Sequence, residues 1–204
     1  SAVEKAFCAG ANIKEFTSAT GETQNLNDLF QTIDEAFLKC KKPIIALVNG
    51  FALGGGFEIV LASDIIIMAQ DAKVGLPELT LGLIPGIGGT QRLAKVAGKH
   101  NAMKLILTGE PITAQEAHRL GVCQAVVKKE ELYEEGLKVA RKIAEKALST
   151  LIIAKKAIKA SEDLGIEKGL QYERDVFNVA FSTKAYKEGV SAFIEKRKPN
   201  FKDM

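Results

Sequence analysis

Two glutamates stand in surroundings that suit proton transfer. Glu58 closes the segment Asn49-Gly50-Phe51-Ala52-Leu53-Gly54-Gly55-Gly56-Phe57-Glu58, which leaves an apolar strand, turns through three glycines and enters an apolar helix. Glycines at such a turn let a ligand approach the backbone closely. With a helix starting near Gly55, the amides of its first turn lack intrahelical acceptors and the helix dipole adds positive potential, which together suit a developing oxyanion. Glu58 lies about one turn further on, and helical side chains lean toward the N-terminus, so its carboxylate is expected over the same opening. Two other readings stay open on these residues alone. Glu58 could simply complement the dipole while the glycines permit close strand–helix packing. A phosphate loop is the other, against which stand the missing Gly-Lys-Ser/Thr ending and GxGxxG spacing.

Glu78 sits in Val74-Gly75-Leu76-Pro77-Glu78-Leu79, where Pro77 fixes its own φ and pushes Leu76 toward an extended conformation. Apolar neighbours raise a carboxyl pKa toward the range useful for proton transfer, and a second carboxylate nearby raises it further. An isolated loop glutamate is more often simply exposed. Pairing with Glu58 is what would make it chemical.

Other candidates carry less. Ile84-Pro85-Gly86-Ile87-Gly88-Gly89-Thr90-Gln91-Arg92 reads as a scaffold turn opening a helix with a Thr or Gln cap, and no catalytic role is assigned to it. His100 and His118 have no partner at metal or triad spacing and are expected at the surface or at helix ends. Cys8 is expected to be a small buried residue, with nothing nearby to activate a thiolate. Cys8, Cys40 and Cys123 are odd in number and far apart, which fits a reducing compartment and offers no metal or redox motif.

The elements that would position these residues alternate. Strand-like runs at 6–10, 43–48, 64–69 and 73–76 are separated by glycine-rich turns and helical patterns, which predicts an α/β fold with partly parallel pairing. Leu26, Leu29, Phe30, Ile33 and Phe37 place an apolar stripe on a helix of about four turns, expected to pack on the sheet. Thr113 and Glu116 form a capping-box pattern and Gly121 suits a left-handed residue, so 114–120 is predicted as a short helix followed by a strand at 122–127. Beyond about residue 130 the chain is rich in Ala, Lys, Glu and Leu, with no proline until Pro199, and predicts three or four helices. The domain reading is therefore a core over 1–130 and a helical region over 131–204.

A chain of 204 residues, 47% hydrophobic, can bury one substantial core. Its 28 basic and 25 acidic residues give a net charge of +3, too balanced for nucleic-acid binding to be the first expectation. No apolar run approaches the roughly 20 residues that cross a bilayer, and a soluble protein is expected. No signal-peptide pattern opens the chain, so any targeting segment is expected to have been removed or never present.

At these residues the chain resembles the crotonase superfamily, most closely its short-chain enoyl-CoA hydratases. The resemblance is carried in order by Ala6-Phe7-Cys8-Ala9-Gly10-Ala11-Asn12-Ile13-Lys14, the Asn49 to Glu58 segment, Gly75-Leu76-Pro77-Glu78, Ile84 to Arg92, Leu107-Thr108-Gly109 and Ser191 to Pro199. It implies a crotonase (ClpP-like) spiral of ββα turns with a helical, trimerising C-terminal region. It also implies an oxyanion hole from the amides of Ala11 and Gly55, and a water held between Glu58 as base and Glu78 as acid. That water would add across the double bond of a 2-trans-enoyl-CoA to give 3-hydroxyacyl-CoA, with no metal and no cofactor beyond the CoA of the substrate. Both glutamates are present, which favours hydration over the isomerase, dehalogenase and thioesterase branches.

By the same resemblance Ala11, Asn12, Ile13, Lys14 and Gly55 line the acyl-CoA, and Phe193 and Lys196 reach a CoA, that of a neighbouring subunit included. Homotrimers or hexamers are implied, in a mitochondrial matrix or bacterial cytoplasm. Two departures stand out. Asn12 replaces the usual Asp, and the several tens of residues that family members carry before the Ala6 strand do not precede it here. The expectation is a fragment, or a shortened member whose strand edge a partner chain covers. Two competing functions follow: a non-catalytic assembly subunit, and RNA binding, which the even charge disfavours.

Overall fold

The structure is a computed structural model, and it describes residues 5–14, 24–202 and 204, with the backbone alone for 24–29. Leu26 and Leu29 of the expected apolar stripe therefore lie outside the described side chains. Two compact units are present: one holds the described residues up to Cys40 with Ile44–Leu137, the other Lys41–Pro43 with Lys138–Met204.

The first unit is a spiral of strand, strand and helix. Its elements are β1 (Ala6–Cys8), α1 (Gln24–Lys39), β2 (Ile45–Val48), β3 (Phe51–Leu53), α2 (Gly55–Ala62), β4 (Ile65–Ala69) and β5 (Lys73–Gly75). They are followed by a 3₁₀ turn at Glu78–Leu81, α3 (Gly89–Ala97), α4 (Lys99–Thr108), β6 (Ile112–Thr113), α5 (Ala114–Arg119) and β7 (Ala125–Val127). From β1 to β5 successive strands alternate between a sheet ordered β2-β4-β7 and one ordered β1-β3-β5-β6, while β6 stays beside β5 before β7 returns to the first. The first is wholly parallel, and in the second only β5 and β6 run antiparallel.

Residue chemistry explains the corners. β4 is a short run rich in Ile and buried beyond its first residue, as a parallel strand covered on both faces requires, while β2 alternates half-buried and buried positions. Between β2 and β3 the chain bends at Gly50, whose φ of 57° is left-handed and whose Cβ, if present, would lie 2.2 Å from the Lys5 carbonyl oxygen. Each ββ corner thus moves the chain from one sheet to the other, and the intervening helix brings it back. Val48, Ala52, Phe57, Val60, Met68, Val74, Leu76 and Leu93 fill the core between.

The predicted short helix is α5: the Thr113 hydroxyl caps it by accepting from the Glu116 amide at 3.2 Å, and Gly121 takes a φ of 78°. The described side chains of α1 reach the loop before α3 and α3 itself: Phe30 lies against Gly86, and Asp34 pairs with Arg92 at 2.9 Å. Phe30, Ile33 and Phe37 of the apolar stripe are half-buried.

α6 (Leu132–Ala144) runs from the first unit into the second, which holds α7 (Leu148–Ala160), α8 (Ile166–Ala180) and α9 (Lys184–Ile194). Phe181 meets Phe177 and Tyr186 edge-on, with centroids 5.0 and 4.8 Å apart. The turn after α9 is tied by Arg197, which binds Glu188 and Glu195, while the Asn200 amide donates to Glu188. These bonds hold the Glu188 carboxyl at about 2, the Arg197 guanidinium being the first cause.

Candidate active site

A cleft of about 440 Å³ opens in the first unit, lined by Gly10, Ala11, Ile13, Gly54, Gly55, Glu58, Glu78 and apolar side chains that include Phe30, Leu81, Ile84 and Ile87. Both glutamates singled out in the sequence face this one space. It is the fold that brings them together: Glu58 rides on α2 as it leaves β3, and Glu78 opens the 3₁₀ turn as the chain leaves β5, the strand paired with β3.

The first amides of α2 are presented by a forced turn. Gly54 has φ 55° and ψ −131°, and its carbonyl accepts from Phe57 at 2.8 Å and from Glu58 at 3.0 Å, so intrahelical bonding begins beyond Gly55. Opposite, Gly10 has φ 99°, and a Cβ built there would lie 3.6 Å from the Gly55 nitrogen. A Cβ on Gly55 would be 4.0 Å from the Ala11 nitrogen. Two left-handed glycines therefore place the amides of Ala11 and Gly55 side by side at the cleft.

Glu58 is 2% exposed, yet it is not orphaned. One oxygen, Oε1, accepts from the Ile87 and Gly89 amides, each at 2.7 Å. Charge-assisted bonds of this kind satisfy the burial of a carboxylate and fix its rotamer. With Oε1 twice occupied as an acceptor, a proton taken up by Glu58 belongs on Oε2. The donors come from the glycine loop read in the sequence as a scaffold turn, whose amides hold the Glu58 carboxylate. Its expected Thr or Gln cap is absent, since α3 is capped by the left-handed Gly88 with no side-chain hydrogen bond. Sequence reasoning missed Ile87 and Gly89 because a backbone amide has no residue type. The available signal was the need of a buried Glu58 for donors beside a glycine-rich turn.

Glu78 is held differently. Its Oε2 is buried with no hydrogen-bond partner among the described residues. Burial raises its pKa above the ordinary carboxyl value, its own backbone amide pulls the other way, and the nearby Glu58 charge raises it further. A raised folded-state pKa means that Glu78 contributes its full stability below the unfolded carboxyl pKa and loses it as pH climbs through the folded value. Glu78→Gln, which cannot ionise, is therefore expected to match the parent in denaturant midpoint near pH 4 and to exceed it at pH 7 to 8. Equal midpoints at both pH values would show that ionised Glu78 costs the fold nothing.

The remaining candidates separate. Ala11, Ile13 and Gly55 line the cleft. Asn12 and Lys14 are exposed beside it, and the Asn12 side-chain oxygen accepts from the Lys14 amide at 3.3 Å, a local turn that needs an oxygen but no charge. Phe193 and Lys196 belong to the second unit, Phe193 84% exposed and Lys196 in a left-handed conformation with φ 54°. Cys8 is half-buried instead of buried, its carbonyl pressed on Gly56. His118 lies in the last turn of α5, its Nδ1 2.9 Å from the Cys123 carbonyl oxygen, and His100 is exposed. Among the described residues no His, Cys, Asp and Glu cluster could hold a metal, and no helix is long and apolar enough to cross a membrane.

Comparison with known proteins identifies the family. The enoyl-CoA hydratase/isomerase family model matches residues 1–204. A probable mitochondrial enoyl-CoA hydratase of Dictyostelium discoideum is 48% identical over 97% of this chain and 71% of its own length. A probable enoyl-CoA hydratase of Rhizobium meliloti is 47% identical over 98% of this chain and 77% of its own. The crystal structure of enoyl-CoA hydratase from Bacillus anthracis superposes with a TM-score of 0.90 at 40% identity, covering 99% of this chain and 79% of that one. A family model that matches the whole chain, and relatives 47–48% identical over nearly all of it, show that the chain belongs to the enoyl-CoA hydratase/isomerase family.

Proposed function

We propose that Glu58 and Glu78 add water across the double bond of a 2-trans-enoyl-CoA, giving 3-hydroxyacyl-CoA. One observation carries this reading: two carboxylates in opposite states of satisfaction face a single apolar cleft beside paired backbone amides. The relatives named enoyl-CoA hydratase, 47–48% identical, support the reaction class.

In the proposed cycle the thioester oxygen accepts from the Ala11 and Gly55 amides, which draws electron density from the β-carbon. Oε2 of Glu58 takes a proton from water as the water oxygen bonds to the β-carbon. The electron pair of the double bond moves to the α-carbon and the thioester oxygen, where the amides stabilise the enolate-like charge. Glu78, kept protonated to higher pH by its burial, delivers a proton to the α-carbon. Passage of the proton from Glu58 to Glu78 through solvent resets the pair. The step needs no metal and no cofactor, CoA being part of the substrate. Phe30, Leu81, Leu83 and Ile84 supply apolar surface for an acyl chain.

Exposed apolar side chains on the second unit, Ile166, Phe177, Phe193 and Ile194 among them, support assembly into homotrimers or hexamers, or cover by a partner chain. Phe193 and Lys196 would then approach the CoA of a neighbouring subunit. Relatives of mitochondrial and of bacterial origin support either the matrix or a bacterial cytoplasm. The test is direct: crotonyl-CoA absorbance falls on addition of the protein, with 3-hydroxybutyryl-CoA as product. A stable absorbance at micromolar protein would overturn the assignment and favour the assembly-subunit reading.

A further inference from the structure

We propose that Arg92 is a positioning residue that sets the reactive carboxylate of Glu58 through the Ile87–Gly89 loop and ties it to α1. The inference rests on the role given above to Glu58, but it is carried by separate contacts. Ile87 is bonded on both sides of one residue: its amide donates to Glu58 Oε1 at 2.7 Å, and its carbonyl accepts from Arg92 Nη1 at 2.6 Å. The other arm of the guanidinium, Nη2, donates to Asp34 Oδ1 on α1 at 2.9 Å, with the two side chains 22% and 32% exposed. A planar fork that spans two acceptors at fixed separation is what Arg supplies and Lys does not.

The loop is shaped for both neighbours. A Cβ on Gly88 would fall 2.3 Å from Arg92 Nη1, and one on Gly89 would fall 2.9 Å from Glu58 Oε1. Adjacent glycines thus leave room for the cation beside one and for the carboxylate beside the other. α1 grips the same loop twice, through Asp34 and through Phe30, which lies four residues earlier and would meet a Cβ on Gly86 at 3.1 Å. Phe30 also lines the cleft. The helix that walls the cleft is therefore joined to the catalytic carboxylate by Asp34, Arg92 and Ile87 in sequence.

Four measurements test this. Arg92→Ala is expected to lower kcat for crotonyl-CoA by about ten- to a hundredfold, as small misplacements of a reacting group do, with KM within about threefold. Millimolar guanidinium is expected to restore much of the loss. Asp34→Asn is expected to lower kcat in the parent but to add nothing in the Arg92→Ala background, because the two act in one chain of contacts. Amide resonances of Ile87 and Gly89, which a carboxylate acceptor is expected to shift downfield, are expected to move upfield in Arg92→Ala and in Glu58→Ala alike. An unchanged kcat, a loss confined to KM, additive effects of Asp34→Asn and Arg92→Ala, or unmoved amide resonances would each overturn the proposal. Absence of hydration by the parent protein would instead sink the hydratase reading, and the amide resonances would still decide the positioning.

Discussion

Glu58→Gln is expected to slow hydration of crotonyl-CoA by about a thousandfold, within the range typical of a lost general base, while the fold is retained. The carbonyl oxygen of the new amide can accept from Ile87 and Gly89 just as Glu58 Oε1 does, so the loop and α2 keep their spacing. The amide nitrogen that takes the place of Oε2 can donate to water but cannot receive its proton. Positioning survives and proton acceptance does not, which is the separation the test requires. Glu58→Ala is a poorer experiment, because it strands two buried amides at a cost of about 1–3 kcal/mol each. The expected signature is a kcat loss with little change in KM and a denaturant midpoint close to that of the parent. A Glu58→Gln rate within about threefold of the parent would remove Glu58 from the chemistry and leave it as the anchor of the loop.

What could be read from the sequence was whatever depended on residue type and short spacing. The Gly54-Gly55-Gly56 turn with Glu58 one helical turn on, the Pro77-Glu78 loop, and the Thr113 cap all declare themselves within a few residues, and each is found at the expected place. The partly parallel sheets were legible because β2 and β4 are short apolar runs between turn signals. The partners of Glu58 were not. They are main-chain amides 29 and 31 residues away, and any sequence supplies amides there. Arg92 and Asp34 escaped for a related reason: each reads as a helix-surface charge, and only the fold brings residues 58 positions apart together.

The largest expected structural effect belongs to a glycine between these readings. Gly56→Ala places a Cβ 2.1 Å from the Cys8 carbonyl oxygen, 2.7 Å from the carbonyl carbon and 2.9 Å from the Cys8 Cβ. Most of what it meets is backbone, so no rotamer change relieves the clash, and α2 must move away from β1. β1 leads directly into Gly10 and Ala11, whose amide faces Gly55, so the separation that relieves the clash also pulls the two proposed oxyanion donors apart. Stability is expected to fall by about 3 kcal/mol, the upper part of the range for overpacking in a close-packed site. Activity is expected to fall further than the folded fraction accounts for, by about a hundredfold, as when one oxyanion donor is lost. Gly169→Ala on α8 is the matched control, since nothing lies within 4 Å of a Cβ there, and it is expected to gain up to about 1 kcal/mol from helix propensity. Parent-like activity and midpoint in Gly56→Ala would show that the Cys8–Gly56 contact does not set the spacing of the Ala11 and Gly55 amides.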